Sequence, residues 1–381
     1  MKILQVITKF GLGGAEEVAI NLATGLAQKG HQVRVVTVVA PKPADQIGAF
    51  QKQRLESAGI ETIELGGPNS RVNALYVPSR LASLIRSWKP DLVHAHTDIP
   101  DFMVSLATRR VKVPLVRTIH NSELWPTHRL MGRISETNFN DDLVVHISKG
   151  AKKAYLDLRK RFDMLPSKTQ INIPNGIPVP SLSERAGRPS LEAEFGADSS
   201  KLLLCFAGRF TSQKGFDVLL GALEEMPEKT RNKLQIHAFG SGEDKEKFEK
   251  QVARKGLPVL FHDPVPGLGR LFPAFDAVVM PSRFEGFALV PLECQAVGVP
   301  VICTRAPGLQ ETVSPDWPLM VPVEDTVELG QLLTDICDGK HDLKALGARA
   351  EKWAARFSVP RMVAQYDDAY RKFLGVSGAS R

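Results

Sequence analysis

One stretch of the sequence, Ala277–Ala296, contains a buried strand, a glycine loop and a helix start in direct succession. Its apolar run Ala277–Met280 is typical of a strand that is covered on both faces. Pro291 is compatible only with the first turn of a helix, so the helix must begin close to this residue. The stretch therefore predicts a parallel α/β sheet, in which loops between strands and helices present backbone N–H groups to anions.

Two carboxylates, Glu285 and Glu293, lie on either side of this predicted anion site. The site itself consists of the backbone N–H groups of about Phe287–Val290, at the positive end of the helix dipole. Because like charges repel at contact distance, each carboxylate is expected to bind hydroxyl groups rather than the phosphate. A ligand with hydroxyls on both sides of its phosphates, such as a nucleotide sugar, fits this arrangement.

The same alternation of strands and helices occurs in both halves of the 381-residue chain, which predicts two α/β domains. A proline-rich stretch with an Asn-Gly turn signal, Pro174–Pro189, marks the boundary between them. We expect an N-terminal domain at 1–178 and a C-terminal domain at 179–358. The last segment, 359–381, is expected to contain a helix, Pro360–Phe373, that returns to the first domain and ends in a loose tail.

Hydrophobic periodicity and turn residues locate the individual elements. In the first half, strands are predicted at Lys2–Thr8, Gln32–Val39, Ile60–Leu65, Asp91–His96, Leu115–Ile119, Asp142–Ile147 and Gln170–Ile173. In the second half, they are predicted at Lys201–Ala207, Leu234–Phe239, Val259–Phe261, Ala277–Met280 and Val299–Cys303. Helices between the strands of the first half include Val77–Trp88, Phe102–Arg110 and the basic helix Lys149–Phe162.

Glycines and histidines follow the predicted strands of the first half. Gly11, Gly13 and Gly14 form a GxGG loop, which differs from the GxGxxG fingerprint of dinucleotide-binding folds. Two interpretations stay open: the glycines permit a tight turn, or Gly13 and Gly14 let a ligand approach the backbone. His96 and His120 end two further strands, at the edge where parallel sheets bind their ligands.

Cationic residues follow the first strand of the second half. Arg209 and Lys214 share one loop, so both side chains are expected to reach a phosphate that is bound near Phe287. A guanidinium and an ammonium together would neutralise a departing diphosphate. Gly240 and Gly242, after the next strand, offer another close approach of the backbone to a ligand.

Other classes of site are not indicated by the sequence. The four cysteines lack the spacing of a metal or redox site, and we expect buried, reduced thiols. Because no DxD motif or histidine cluster adjoins the cationic loop, the chemistry is expected to require no metal ion and no cofactor. With no N-terminal signal and no apolar run of membrane-spanning length, the sequence predicts a cytoplasmic protein, at most peripheral to a membrane.

The net charge of +7 is concentrated in the first half of the chain. Between Arg71 and Gln170 there are 17 Lys and Arg against 9 Asp and Glu. Without a basic motif that is interleaved with aromatic residues, this excess does not indicate nucleic-acid binding. Two interpretations stay open: a solvated surface, or association with an anionic membrane through the basic helix Lys149–Phe162.

Several motifs along the chain resemble those of one enzyme family. They are Gly13-Gly14-Ala15-Glu16, the strand-end His120, Asn175-Gly176-Ile177, Gly208-Arg209-Phe210 with Lys214-Gly215, Gly240-Ser241-Gly242, and Glu285-x7-Glu293 followed by Gly298-Val299-Pro300-Val301. With these motifs the chain resembles the retaining, nucleotide-sugar-dependent glycosyltransferases of family 4. The resemblance implies the GT-B fold, with two facing Rossmann-like domains. The chain departs from the family pattern at Ala288, where glycine is frequent, and at Cys294-Gln295, which replaces small residues.

The resemblance also implies roles for individual residues. Glu293 would bind the ribose hydroxyls of the donor, and the base would lie against Pro264–Leu268. The implied catalytic set comprises a histidine near the anomeric centre, two cations on the diphosphate and a carboxylate on the transferred sugar: His120, Arg209, Lys214 and Glu285. The other implied donor-binding residues are Gly13, Gly14, Gly240, Gly242, Gly286, Phe287, Ala288 and Leu289.

The expected reaction transfers a hexose from a nucleotide sugar to a hydroxyl acceptor, with retention of anomeric configuration. A UDP-sugar is favoured over a GDP-sugar by its frequency among such donors. The basic helix makes a lipid-linked or cell-surface glycan intermediate, as in polysaccharide or lipopolysaccharide biosynthesis, the expected acceptor. Two other classes were weighed against this one. A sugar-nucleotide 2-epimerase of the same fold needs a further carboxylate pair that is not evident, and the intact Glu285 and Glu293 disfavour a non-catalytic nucleotide-sugar-binding protein.

Overall fold

The computed structural model describes residues 1–11, 13–40, 45–68, 70–125, 128–139 and 141–376, and for residues 70 and 71 it describes the backbone alone. The chain forms two compact units, Met1–Ile177 with Phe357–Arg381, and Pro178–Arg356. The chain passes from the first unit to the second within the proline-rich stretch Pro174–Pro189. The end of the predicted tail, 377–381, lies outside the described residues.

The first unit is built on a parallel sheet with helices between its strands. Its elements up to the unit boundary are β1 (Lys2–Ile7), α1 (Gly14–Gln28), β2 (Gln32–Thr37), α2 (Gln46–Ser57), β3 (Glu61–Glu64), α3 (Ser70–Trp88), β4 (Leu92–His96), α4 (Asp98–Thr108), β5 (Leu115–Ile119), α5 (Arg129–Glu136), β6 (Leu143–His146), α6 (Lys149–Arg161) and β7 (Thr169–Asn172). The seven strands formed by the described residues have the order β3-β2-β1-β4-β5-β6-β7. The order reverses between β1 and β4, and ligands of open α/β sheets bind at the carboxyl ends of strands beside such a reversal.

The second unit repeats this plan with six described strands in the order β10-β9-β8-β11-β12-β13. Its elements are α7 (Arg188–Phe195), β8 (Leu202–Ala207), α8 (Phe216–Glu225), α9 (Glu228–Arg231), β9 (Leu234–Phe239), α10 (Lys245–Lys255), β10 (Val259–His262), β11 (Ala277–Met280), α11 (Val290–Gln295), β12 (Val301–Thr304), β13 (Met320–Val321), α12 (Thr326–Cys337) and α13 (Leu343–Ala354). Here the reversal lies between β8 and β11, which pair in parallel. The loops that follow these two strands therefore flank the expected ligand position.

The last helix, α14 (Val359–Phe373), belongs to the first unit, as predicted. It packs against α1 so closely that a Cβ on Gly25 would lie 2.4 Å from a methyl group of Val363. Asp367 of α14 contacts Nε2 of His31 at 3.0 Å. Ile177 donates its backbone N–H to the carbonyl of Phe357 at 2.8 Å, so the chain leaves and rejoins the first unit at neighbouring points.

The strands that were predicted from the sequence begin and end within two residues of the observed ones. The central strands are largely buried on both faces, as for Val6 in the first unit and Val279 in the second, whereas the edge strands β3 and β7 are mostly exposed or half-buried. Continuous apolar runs are the pattern of covered parallel strands. The predicted α/β fold class is therefore confirmed.

Several predicted helix bounds were wrong. Helix α3 begins at Ser70 rather than Val77, and it continues through Pro78. A proline inside a helix removes one hydrogen bond, but the buried Val77 and Leu81 keep this face of the helix packed on the core. Helix α4 begins at Asp98 rather than Phe102.

Candidate active site

The loops after β8 and β11 lie together at the reversal point of the second unit. Lys214, from the loop after β8, donates a hydrogen bond from Nζ to Oε1 of Glu285 at 2.6 Å. The same oxygen accepts a hydrogen bond from the hydroxyl of Ser282 at 2.8 Å. The side chains of Lys214 and Glu285 are 17% and 7% exposed, so the ion pair is largely shielded from water. The structure thus brings two of the predicted catalytic residues into direct contact.

Other predicted residues of the second unit lie on the loop after β8, in the loop before α11 and on α11 itself. Arg209 is exposed on the same loop as Lys214, and its guanidinium contacts Oε1 of Gln213 at 3.4 Å. Glu293 is half-buried and is the fourth residue of α11. Phe287 and Ala288 are buried, whereas Gly286 and Leu289 are half-buried in the loop before α11.

Helix α11 has six residues, from Val290 to Gln295, with Pro291 in its first turn as predicted. Such a short helix has a weaker dipole than the sequence argument assumed, because the macrodipole arises from aligned peptide units. The prediction that a phosphate binds at this edge therefore depends mainly on the full charges of Arg209 and Lys214. Gln295, in the unusual Cys-Gln pair, donates from Nε2 to the carbonyls of Pro291 and Thr312 at 2.6 and 2.9 Å and so fixes the end of α11.

The glycines of the second unit allow its loops to pack against one another. A Cβ on Gly240 would lie 1.8 Å from the carbonyl oxygen of Gly208, and one on Gly242 would lie 2.3 Å from that of Phe210. Gly215 has φ +63°, and a Cβ there would lie 2.0 Å from the carbonyl oxygen of Pro281. These glycines therefore allow close loop packing, and the role of Gly240 and Gly242 towards a donor stays a prediction.

Arg283 joins the two loops, and the sequence analysis did not identify it. Its guanidinium forms a bidentate pair with Asp217 at 2.8 and 2.9 Å and donates to Oε1 of Glu324 at 2.7 Å. It also donates to the carbonyl of Ser212 at 2.7 Å, and its backbone N–H donates to the carbonyl of Gln213 at 2.9 Å. Because Ser212 and Gln213 directly precede Lys214, Arg283 fixes the distance between the loops that carry the ion pair.

The first-unit glycines lie at the start of α1. Gly13 is the N-cap residue, with φ −172°, and Gly14 is the first helical residue. This φ is extended backbone that any residue adopts, whereas Gly11 has φ +146°, which favours glycine. A Cβ on Gly13 would lie 2.2 Å from a carboxylate oxygen of Glu16. The tight-turn interpretation therefore applies to Gly11, and the role of Gly13 and Gly14 towards a donor stays a prediction.

His120 is the residue after β5 and is 6% exposed. Its Nε2 lies 3.0 Å from Nδ1 of His96, the last residue of β4. Nε2 of His96 lies 2.6 Å from Oε1 of Gln5 on β1. Burial lowers the pKa of His120 to about 3, so this imidazole is neutral at physiological pH.

A second buried network lies beside this one. The ring of His94 is 4.0 Å from that of His96, measured between centroids. Nε2 of His94 lies 2.7 Å from the hydroxyl of Thr118, and Nδ1 lies 2.7 Å from the hydroxyl of Tyr370. The hydroxyl of Thr118 lies 2.9 Å from that of Tyr366. Helix α14 therefore supplies two tyrosines to the core beneath the strand ends.

Two arginines of the basic half are buried in ion pairs. Arg117 contacts Asp101 and Glu136 at 2.9 and 2.6 Å, and its guanidinium lies 4.0 Å from the ring centroid of Phe139. Arg159, which the sequence analysis counted in the basic helix, contacts Glu136 at 3.1 Å and is 2% exposed. The charge on the surface of α6 is therefore smaller than the sequence count suggested.

Three further findings concern the described residues as a whole. None of their helices combines the length and apolar character needed to span a bilayer. Within the same residues no three His, Cys, Asp or Glu side chains form a group suited to a metal ion. The four cysteines are unpaired thiols, and burial raises the pKa of each of them, to about 11 for the half-buried Cys337.

Family models and curated relatives match most of the chain. The model described as glycosyltransferase family 4 matches residues 12–179, and that described as glycosyl transferases group 1 matches residues 187–353. The D-inositol 3-phosphate glycosyltransferase of Streptomyces scabiei is 30% identical, over 94% of this chain and 86% of its own. A protein of the same name from Xylanimonas cellulosilytica is 29% identical, over 94% and 91% of the two chains.

Solved structures share the fold across nearly the whole length. Anabaena HepE in complex with UDP-glucose has a TM-score of 0.79 at 21% identity, with 97% of this chain and 98% of that chain covered. Sucrose-phosphate synthase from Thermosynechococcus elongatus has a TM-score of 0.80 at 19% identity, with 99% and 100% covered. Two parallel α/β sheets in one chain, as in these structures, define the GT-B fold. The chain belongs to the family 4 glycosyltransferases.

Proposed function

We propose that this glycosyltransferase transfers a hexose from a UDP-sugar to a hydroxyl acceptor, with retention of configuration and without a metal ion. The observation that carries the proposal is the contact between Lys214 and Glu285 at the reversal point of the second sheet. A cation for the diphosphate and a carboxylate for the sugar hydroxyls are thereby adjacent, as the two halves of a nucleotide sugar require. UDP is favoured as the nucleotide because the similar HepE was solved with UDP-glucose.

The proposed chemistry breaks the bond between the anomeric carbon and the phosphate oxygen. Arg209 and Lys214 stabilise the negative charge that grows on the leaving diphosphate. The acceptor oxygen attacks from the same face, and its proton passes to a phosphate oxygen of the leaving group. His120 contacts the transferred sugar, and Glu293 binds the ribose hydroxyls.

The nucleotide-sugar assignment is tested by incubating the protein with a panel of labelled UDP- and GDP-sugars. Slow release of the nucleoside diphosphate is expected, because a transferase hydrolyses its donor when no acceptor is present. An altered sugar without release would instead indicate a 2-epimerase, and binding without either change would indicate a non-catalytic binder. The anomeric configuration of the product, read by NMR, tests retention, and undiminished turnover in EDTA tests metal independence.

The ribose contact is tested separately with Glu293→Ala. Its carboxylate is half-buried on α11, so its removal is expected to weaken donor binding more than turnover. Isothermal titration with UDP measures the change. An unchanged dissociation constant for UDP would refute the assignment.

We propose two classes of acceptor, each of which is supported by a different observation. The exposed cations of α6, such as Lys152, Lys160 and Arg161, favour a lipid-linked or cell-surface glycan intermediate at an anionic membrane. The relatives named D-inositol 3-phosphate glycosyltransferase favour an inositol phosphate instead. Sedimentation with vesicles of phosphatidylcholine and phosphatidylglycerol at low salt, compared with phosphatidylcholine alone, tests the first class. Transfer to inositol 3-phosphate in the labelled-donor assay tests the second.

A further inference from the structure

Three buried side chains of the first unit form one hydrogen-bonded chain that ends at His120. Gln5 lies on β1, His96 ends β4, and His120 follows β5, which are neighbouring strands of the sheet. Oε1 of Gln5 lies 2.6 Å from Nε2 of His96, and Nδ1 of His96 lies 3.0 Å from Nε2 of His120. This series of hydrogen-bonded side chains begins at Gln5 in the core and ends at His120, at the carboxyl edge of the sheet.

With its Oε1 facing Nε2 of His96, the Gln5 amide sets the direction of both hydrogen bonds in this series. A carbonyl oxygen only accepts, so the proton between Gln5 and His96 must lie on Nε2 of His96. A neutral imidazole carries a single N–H, and Nδ1 of His96 is therefore an acceptor. It accepts the proton of Nε2 of His120. The remaining nitrogen of His120, Nδ1, then has a lone pair and no proton.

This direction requires a neutral His96, since an imidazolium there would make Nδ1 a donor towards His120, and two imidazoliums would place two donors against each other. Burial lowers the pKa of His120 to about 3 and that of His96 well below its usual value. The two rings also lie next to a third buried imidazole, that of His94, which disfavours a positive charge on any of them. The neutral form is therefore the form present at physiological pH.

We propose that His96, oriented by Gln5, is a positioning residue that holds His120 in its Nε2–H tautomer, so that Nδ1 of His120 accepts a hydrogen bond from a hydroxyl of the transferred sugar. The inference rests on the proposed function, in which His120 contacts the donor sugar. It assigns to His120 the role of an acceptor and excludes a role as proton donor to the leaving group.

An unprotonated Nδ1 on His120 is compatible with the proposed reaction. Positive charge develops at the anomeric carbon as the diphosphate leaves, and a neutral nitrogen with a lone pair does not oppose that charge. An N–H group or an imidazolium at the same place would do so. A fixed lone pair also recognises a hydroxyl and not a carbonyl oxygen, so sugars that lack this hydroxyl are expected to be poor substrates.

The tautomers are measured by long-range ¹H–¹⁵N correlation NMR on the full-length protein labelled with ¹⁵N-histidine, without any ligand. Resonances are assigned by their loss in His96→Asn and His120→Asn. We expect Nε2–H at both His96 and His120. The opposite polarity, which needs a rotated Gln5 amide, would place the proton on Nδ1 of both rings and would overturn the proposal.

Two variants of His96 separate positioning from a purely structural effect. In His96→Asn the amide oxygen lies close to the position of Nδ1 of His96, so His120 keeps a hydrogen-bond acceptor. In His96→Leu that acceptor is absent. We expect His96→Leu to give averaged tautomer shifts at His120 and to lower kcat by about 10- to 100-fold, with UDP affinity unchanged. His96→Asn is expected to keep the Nε2–H signal and most of the turnover.

Tyr366→Phe is the control, because it removes a hydroxyl from the neighbouring network without breaking the Gln5–His96–His120 chain. It is expected to leave the His120 signal unchanged. An unaltered tautomer or an unaltered kcat in His96→Leu would refute the positioning role. A wild-type protein that turns over no nucleotide sugar would refute the proposed function, whereas Nδ1–H at His120 with turnover intact would refute this inference alone.

Discussion

Lys214 is placed to interact both with Glu285 and with the phosphate of a bound donor. Its ammonium is 2.6 Å from Glu285, and an ammonium has three N–H donors, so this pair leaves it capable of binding a phosphate oxygen as well. The carboxylate compensates part of the positive charge, so the net charge offered to a diphosphate depends on both Lys214 and the exposed Arg209. The residue thus links the two halves of the proposed donor.

Replacing Lys214 by Ala is expected to reduce turnover more than binding. The charge that Lys214 meets grows as the diphosphate leaves, so the variant should lose about 10²- to 10³-fold in kcat and less than about 10-fold in UDP affinity. Donor hydrolysis and calorimetry measure the two quantities. Lys233→Ala, in the half-exposed pair with Asp338, is the matched control and should change neither. Equal losses in turnover and in binding would count against the role.

A second residue, Arg283, is expected to support activity by holding the loops after β8 and β11 in position. Its partners Asp217 and Glu324 are 43% and 62% exposed, so Arg283→Ala should change the free energy of unfolding by about 1 kcal/mol or less. Loss of the tie between the loops should nevertheless lower kcat/KM for the donor by about 10- to 100-fold, because small misplacements are costly at a reacting centre. Arg283→Lys cannot reproduce the bidentate contact and should recover only part of the activity.

The control for this experiment is Arg305→Ala. Arg305 forms a 4.0 Å ion pair with Glu328, and both side chains are half-exposed. This variant is expected to keep the kcat/KM of the wild-type protein. An Arg283→Ala variant with wild-type kinetics would show that the two loops hold their positions without the guanidinium.

At the scale of elements, α14 is joined to the strands that end at the first-unit histidines. Tyr370 contacts His94 at 2.7 Å, so Tyr370→Phe leaves a buried imidazole nitrogen without its partner. The expected loss in the free energy of unfolding is about 1–3 kcal/mol, measured by urea denaturation. Asp368→Ala, at an exposed position of the same helix, should have almost no effect. A Tyr370→Phe variant as stable as the wild type would show that the hydroxyl is dispensable.

Elements were predictable from the sequence where burial determines the residue pattern. The strands β5, β9 and β11 were located without error, because strands covered on both faces are rich in apolar residues, even where β5 and β9 also include buried polar side chains such as Arg117 and His237. The start of α3 was predicted at Val77 rather than at Ser70, and packing continues the helix through Pro78, a residue type that normally lies in a first turn. Strand β13 was not predicted because two residues contain no periodicity.

The candidate site was predictable only in part. Lys214 and Glu285 were identified from their loops and from family motifs, but their contact was not, since 71 positions separate them in the sequence. Arg283 gave no signal, because its partners Asp217 and Glu324 are distant in sequence and each looks like an ordinary surface charge. The pairing of His96 with His120 depends on strand order, which a single sequence does not specify.

At the scale of the whole molecule, three buried neutral histidines predict sensitivity to acid. Burial lowers the pKa of His94, His96 and His120, to about 3 for His120, from a value of 6.5 in the unfolded chain. On acidification the unfolded chain therefore binds protons at these histidines first, so their contribution to the free energy of unfolding is complete above about pH 6.5 and is lost as the pH decreases below that value, towards 3 for His120. Each such group contributes up to about 1.4 kcal/mol per pH unit within this window.

Urea denaturation at a series of pH values between 8 and 5 measures this dependence. On acidification, the free energy of unfolding of the wild-type protein should fall relative to that of His120→Asn, because the variant binds one proton fewer when it unfolds. Burial raises the pKa of Asp98 and Asp101, which acts in the opposite direction but equally in both proteins. If the free energy of unfolding changed equally with pH in the two proteins, the result would contradict the burial of a neutral His120. Because the pKa of His120 is about 3, its titration should contribute nothing to a pH–rate profile between 5 and 8.

The neighbouring positions of Ile177 and Phe357 have a practical meaning for dissecting the enzyme. Topologically, Pro178–Arg356 is an insertion into the first unit, and its two ends meet at the 2.8 Å hydrogen bond between Ile177 and Phe357. A gene fragment that stops at Ile177 omits Tyr366 and Tyr370, which complete the core beneath the histidines. A fragment in which a short glycine linker joins Ile177 directly to Phe357 retains them. The first unit is thus compact in three dimensions, although two separate segments of the gene encode it.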